Sequence, residues 1–303
     1  MLLFSAALLA MILANSQFSG GYFAIAQIEQ LKGIAIFFFF LSIGIELRHE
    51  IRHGFLSKPR QAVVPVFAAI GGMLVPIAIY SLINAGSSAS AGWGVAMSTD
   101  IAFALGAIAI AGRWLPRQVR LFVMTVAVVD DSLTILMIAL FFASSFHLLS
   151  LVSLAGVAVG LFLPGGDKLQ KTLQPAVAFV ALPFFAFLSA GVRIGSGEIE
   201  ISIMAGILIA MIVGKPLGVL GATWLVTKSK LGKLPEQVSW SHLARVGLLF
   251  GMCFTVAMLM SDLAFGGQPV RHSIANLSVL IGTAVMATLS IAALSIKKPV
   301  KND

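Results

Sequence analysis

Residues 123–142 read Val-Met-Thr-Val-Ala-Val-Val-Asp-Asp-Ser-Leu-Thr-Ile-Leu-Met-Ile-Ala-Leu-Phe-Phe. The run is long and apolar enough to cross a bilayer as a helix, which takes about 20 residues. Two adjacent carboxylates, Asp130 and Asp131, sit in its middle. An ionised carboxylate at that depth costs about 3 kcal/mol on insertion scales. Two in succession imply a cation, a proton or a basic partner inside the membrane. Neighbouring helical residues are about 100° apart. One carboxylate can therefore face a basic helix while the other faces a cavity. Thr134 lies one turn beyond Asp130 on its face.

The rest of the chain has the same character. Its 303 residues are 59% hydrophobic and 11% charged, with a mean hydropathy of +1.01, whereas a soluble domain carries about 25% charged residues. The composition predicts an all-α polytopic membrane protein, one membrane domain over residues 1–303, since outer-membrane barrels show short alternating strands instead. Apolar runs fall at 1–15, 31–47, 62–84, 94–112, 119–143, 148–163, 174–192, 201–226, 244–265 and 273–296, about ten transmembrane helices, with the first and sixth short for a full span. Met1 to Asn15 lacks the basic segment of a signal peptide and is expected to be a retained first helix.

The net charge of +8 is topological and does not signal nucleic acid. With Met1 on the cytoplasmic side and an even number of crossings, sixteen basic residues fall in the cytoplasm: Arg48, Arg52, Lys58, Arg60, Arg113, Arg117, Arg120, Lys168, Lys171, Lys228, Lys230, Lys233, Arg245, Lys297, Lys298 and Lys301. Only Lys32, Arg193 and Arg271 fall outside. That bias supports both termini inside, and the basic face suits an anionic leaflet.

Further polar residues interrupt the apolar runs. Asp100 follows Ser98 and Thr99 among Gly92, Gly94 and Gly106. Such side chains replace backbone partners where a helix is interrupted. A broken span can line a cation site; the alternative is a helix N-cap at the membrane surface. Lys215, between Gly214 and Pro216, is mid-span and needs a carboxylate, with Asp100, Asp130 and Asp131 as candidates. Gly247, Gly251 and Thr255 recur every fourth residue, a spacing that serves helix packing. Glu46 and Glu50 close the second span, either as an ordinary cytoplasmic helix end or as groups that respond to pH.

Absences narrow the function. No Gly-x-x-x-x-Gly-Lys-Ser/Thr loop is present, so ATP is not a direct driver. The histidines lack metal spacing, the one cysteine, Cys253, cannot build a zinc site, and no cofactor is implied. Asp100 and Asp131 on different helices would also satisfy an intramembrane aspartyl protease, a reading that a buried lysine disfavours.

Asp100, the Asp130–Asp131 pair and Lys215 together resemble the NhaA family of sodium/proton antiporters. The segments that carry the resemblance are Leu-Ala-Met-Ile-Leu-Ala-Asn-Ser at 9–16, Gly-Ile-Glu-Leu at 44–47, Ala-Ala-Ile-Gly-Gly-Met-Leu-Val-Pro at 68–76, Thr-Asp-Ile-Ala-Phe-Ala-Leu-Gly at 99–106, Gly-Lys-Pro-Leu-Gly at 214–218, and Phe-Thr and Leu-Ala-Phe-Gly around 254–266. The resemblance implies a single membrane transport domain of the bacterial inner membrane, with inverted repeats and crossing broken helices. It implies exchange of sodium or lithium for protons by alternating access. Transported sodium would bind Asp131, with Asp130 adjacent and paired to Lys215. Asp100 and Thr99 would lie at one break, and Gly251 to Thr255 would supply the other. The expected partners are sodium ion, protons and the lipid bilayer. A homodimer also comes into consideration, although the link between the first two spans leaves little room for the family's dimerising hairpin.

The chain also departs from the family. About two spans are missing, since Ser153-Leu-Ala-Gly-Val-Ala-Val-Gly resembles the end of the family's eighth helix yet follows soon after the aspartate run. Cys253 replaces a glycine of the second break, which argues for a less clean interruption there. Asp262 stands where a small apolar residue is usual. The family's pH-sensing positions read Gln170, Lys171, Gln174 and Leu151. A transport-impaired relative that binds cations or partners without exchange is the alternative these departures raise.

Overall fold

The computed structural model describes residues 2–26, 28–141, 148–163, 172–173, 175–192 and 200–296. Among them are thirteen α-helices and no strand: α1 (Leu2–Ala14), α2 (Ser19–Ala26), α3 (Glu29–His53), α4 (Pro59–Ile83), α5 (Ile101–Ala111), α6 (Arg117–Phe141), α7 (Leu148–Phe162), α8 (Leu182–Ser189), α9 (Ile201–Ile209), α10 (Lys215–Lys228), α11 (Trp240–Val246), α12 (Thr255–Phe265) and α13 (Pro269–Ser295). The chain is an all-α polytopic membrane protein. All ten apolar runs carry helix, but they differ in length. Five spans are long enough to cross on their own: Gln30–His53, Gln61–Ile83, Arg117–Ile138, Ile201–Lys228 and Pro269–Ser295. A sixth is the bent pair Trp240–Gly251 and Thr255–Phe265, with a 42° angle between its halves. The other four are short, Leu2–Ala14, Ile101–Ala111, Leu151–Phe162 and Val177–Ser189. The run 94–112 is expected to form one long helix, but its apolarity continues through a non-helical stretch before Ile101. Lys168, Lys171, Arg193, Lys297, Lys298 and Lys301, and the positions Gln170 and Gln174, lie outside the described residues.

Two close helix pairs shape the bundle. α3 lies along α7 and α4 lies along α10. Both contacts are lined by glycine. A Cβ on Gly160 would collide with the Leu41 carbonyl oxygen and stand 3.0 Å from the Gly44 Cα. A Cβ on Gly156 would lie 2.7 Å from the Phe37 carbonyl. On the other pair, Gly71 and Gly218 face one another so closely that a Cβ on either meets the other's carbonyl. With lipid as apolar as the helix surfaces, association rests on such close packing. The π-helical turn Ala210–Gly214 joins α9 to α10 within one span. It places Gly214 against Pro76 of α4, and the Lys215 N–H donates to the Ala210 carbonyl just ahead of Pro216, which has no N–H to give.

Gly160→Leu is expected to lower the unfolding temperature of the detergent-solubilised protein by several degrees, matching an overpacking cost of about 1–3 kcal/mol. Gly106→Ala, with nothing within 4 Å of the added atom, is expected to leave it unchanged or slightly raised. Thermal unfolding followed by tryptophan fluorescence compares the two.

Candidate cation site

Two interrupted segments cross in the middle of the bundle. The first runs from the 3₁₀ stretch Ser88–Gly94 through non-helical Ser98, Thr99 and Asp100 into α5. The second runs from α11 and the 3₁₀ stretch Gly247–Gly251 through Met252, Cys253 and Phe254 into α12. Backbone freed by a break inside a membrane must find partners within the protein, and here it does. The Asp100 N–H donates to the Met252 carbonyl at 2.7 Å. The Thr99 hydroxyl donates to the Phe250 carbonyl at 2.9 Å, and Thr283 donates to the Cys253 carbonyl. Cys253 was expected to make this interruption less clean, yet the break is intact. Its buried thiol points at the Ala96 carbonyl, 3.8 Å away across the crossing. The position therefore tolerates a small side chain, whereas a Cβ on Gly251 would sit 2.6 Å from the Met211 carbonyl.

Asp100 joins the two halves. One carboxylate oxygen caps α5, accepting the N–H groups of Ala102 at 3.0 Å and Phe103 at 3.4 Å. The other accepts the Thr255 hydroxyl at 2.7 Å and the Thr255 N–H at 3.2 Å, at the start of α12. Two helix N-termini, each with partial positive charge, thus share one anion. Asp100 is an N-cap, but at 8% exposure it is buried within the protein and not at a surface.

The aspartate pair on α6 divides as adjacent helical residues must. Asp130 faces α10, and Lys215 Nζ donates to its Oδ2 at 2.7 Å and to the Thr99 hydroxyl at 2.9 Å. Lys215 is fully enclosed. The Thr99 hydroxyl therefore has both a donor and an acceptor partner within the protein. Asp131 turns the other way and accepts the Ser98 hydroxyl at 2.9 Å. It lines a cavity of about 150 Å³ together with Ser98, Thr99, Asp100, Ser42, Glu46 and apolar neighbours that include Phe39, Ile43 and Phe254. Among the described residues, three carboxylates and no basic residue line this space. Asp130 is absent from its wall.

The structure thus brings Asp100, Thr99, Asp130, Asp131, Lys215 and Thr255 into one cluster. Gly251 borders it as a packing position against Met211 and Met286. Glu46, read from sequence as a helix end, reaches the cavity, whereas Glu50 instead accepts the Thr125 hydroxyl of α6 at 2.7 Å. The sequence marks Ser98 only as a polar neighbour at the break before Asp100, not as the partner of Asp131. Ser132 donates to the Val128 carbonyl of its own helix at 2.6 Å and takes no part.

A profile of the family described as Na+/H+ antiporter 1 matches residues 1–165 and 152–294. The chain belongs to that family. Among its relatives is a protein of Citrobacter koseri called Na(+)/H(+) antiporter NhaA, 33% identical over 359 aligned positions that take in 95% of this chain and 92% of the relative. The NhaA of Shewanella loihica is 32% identical across 100% of this chain and 95% of its own length. A protein of Saccharophagus degradans named Na(+)/H(+) antiporter NhaA 2 is 32% identical, covering 99% and 97%. These relatives are named as antiporters, not enzymes. The first alignment holds 359 positions against 303 residues here, so at least 56 positions of that relative have no counterpart. The two family matches overlap in residues 152–165, a stretch that begins within α7. The elements that build the candidate site lie on either side of that junction.

Removing one member of a buried ion pair strands the other, at about 3–5 kcal/mol. Lys215→Met is therefore expected to lower the unfolding temperature sharply. Adding Asp130→Leu to it should restore most of the loss, because neither charge is then left alone. Thermal unfolding of the single and double variants in detergent checks this.

Proposed function

We propose that this protein exchanges sodium or lithium for protons across the bacterial inner membrane, using Asp131 as the carboxylate on which cation and proton alternate. The observation that carries the reading is a partly open cavity lined by Asp131, Asp100 and Glu46 with no basic residue among the described residues, while the buried Lys215 ammonium nearby is held by Asp130. The membership of the Na+/H+ antiporter 1 family supports it. A monovalent cation with weak geometric demands fits such a wall, with Asp131 and the hydroxyl of Ser98 as oxygen donors.

The physical logic is exclusion. Sodium binding needs ionised oxygens and so displaces protons. Asp131 holds one or the other. Asp100 is committed to two helix N-termini, which leaves Asp131 as the more available anion. A site at the crossing of two interrupted helices can be exposed to either side by rocking one group of helices against another. Alternating exposure of one such site yields antiport without ATP, and unequal charge movement lets the membrane potential contribute. The two family matches meet in α7, away from the crossing, which favours exchange over a transport-impaired binder.

Uptake of labelled sodium into proteoliposomes against an imposed pH gradient tests this. The parent should accumulate sodium, and Asp131→Asn should fall to the level of protein-free liposomes. The apparent KM for sodium should rise about tenfold per pH unit on the acid side, where one proton competes. No flux in the parent, or full flux in Asp131→Asn, overturns the reading.

A further inference from the structure

Away from the cavity, three ionisable side chains from three helices meet toward the far end of α12. Lys32 Nζ of α3 lies 3.3 Å from Asp262 Oδ1 and 3.5 Å from Oδ2. His272 Nε2 of α13 lies 2.8 Å from the same Oδ1. The side chains are 14%, 12% and 24% exposed for Lys32, Asp262 and His272, so the cluster is largely shielded from solvent. Asn276, one turn after His272, has its amide nitrogen 3.3 Å from that Nε2 and donates to the Ser189 carbonyl at the end of α8 at 3.0 Å. Arg271 is turned to Glu200 at 2.6 Å, ahead of α9. Among the described residues, these are the charged groups around His272.

α12 is a short rigid rod between two interruptions. Met252–Phe254 precede it and Gly266–Gly267 follow it. Its first residue, Thr255, binds Asp100 at the crossing. Asp262 is seven residues further on, about 10 Å along the axis at 1.5 Å per residue. The rod is thus held by a carboxylate at each end, Asp100 at the inner end and Asp262 at the outer.

We infer that Lys32, Asp262 and His272 form a clamp that positions α12, and through Thr255 sets how Asp100 is held at the cation site, with proton uptake by His272 tightening the clamp. Asp262 and His272 are positioning residues, and they touch no transported ion. Histidine is the side chain that ordinarily changes charge between pH 5 and 8. As imidazolium it adds a second cation to Asp262 and closes the clamp. As the neutral ring it offers at most a hydrogen bond, and Lys32 alone carries the ion pair. Transport then responds to pH on the clamp's side of the membrane separately from proton competition at Asp131. The basic-residue bias places that side away from the cytoplasm. This inference rests on the antiport reading for its effect on transport, but not for the clamp itself.

Hydrogen–deuterium exchange of the α12 amides in the reconstituted full chain, corrected for intrinsic exchange, reads the clamp without transport. At about pH 5.5 and pH 8, either side of the histidine range, the parent should show α12 several-fold better protected in acid. His272→Gln, which keeps a hydrogen-bonding side chain but cannot charge, should show equal protection at both. In proteoliposomes with pH set separately on each side, His272→Gln should lose only the dependence on the clamp's side, and Asp262→Glu should retain it. Equal α12 protection in the parent at both pH values, or an unchanged pH response in His272→Gln, overturns the clamp. A parent that moves no sodium while α12 shows the expected protection overturns the antiport reading and leaves the clamp standing.

Discussion

Lys215 and Asp130 neutralise one another in a place where neither could stand alone. Both are enclosed, 2.7 Å apart, on spans that cross the middle of the bundle. Removing two charges from water is costly, and a buried pair is retained only with good geometry and further hydrogen bonds. Thr99 supplies one of those. The consequence is asymmetric. The ammonium is engaged on the Asp130 side of α6, and Asp131 on the other side looks into a cavity lined by three carboxylates and mostly apolar neighbours. The proposed occupant of that cavity is a positive species, metal ion or proton.

The crossing segments follow from a second constraint, that backbone in lipid must be satisfied by the protein. Breaking two helices frees N–H and C=O groups, and the pairing across the crossing uses them. Met252 accepts from Asp100, Phe250 from Thr99, and Cys253 from Thr283. Asp100 takes up both helix N-termini with its two oxygens. The broken geometry is thus held by side chains already present for other reasons. It survives the exchange of a glycine for Cys253 because the freed groups, and not the absence of a side chain, maintain it.

Much of this was legible in the sequence. The division of Asp130 from Asp131 follows from helical geometry alone. The need of Lys215 for a carboxylate follows from its depth, and the first break is announced by Ser98, Thr99 and Asp100 among glycines. What could not be read concerned distance in space. Glu46 resembles any charge at a helix end until α3 is placed against α6 and the residues before α8. Apolarity alone made 94–112 look like an ordinary span, because hydrophobicity does not distinguish helix from a buried break. Asp262 stood out as an acid in an apolar run, but its partners lie 230 residues earlier and ten later. Only the packing of α3, α12 and α13 reveals them.

The central claim is that sodium and protons exclude one another at Asp131. Proton release is its most direct measure. Sodium is added to the solubilised protein in weakly buffered solution, and the change in pH is recorded. The account predicts acidification on sodium addition by the parent chain and its loss in Asp131→Asn. No acidification by the parent, or the same acidification by the variant, contradicts it.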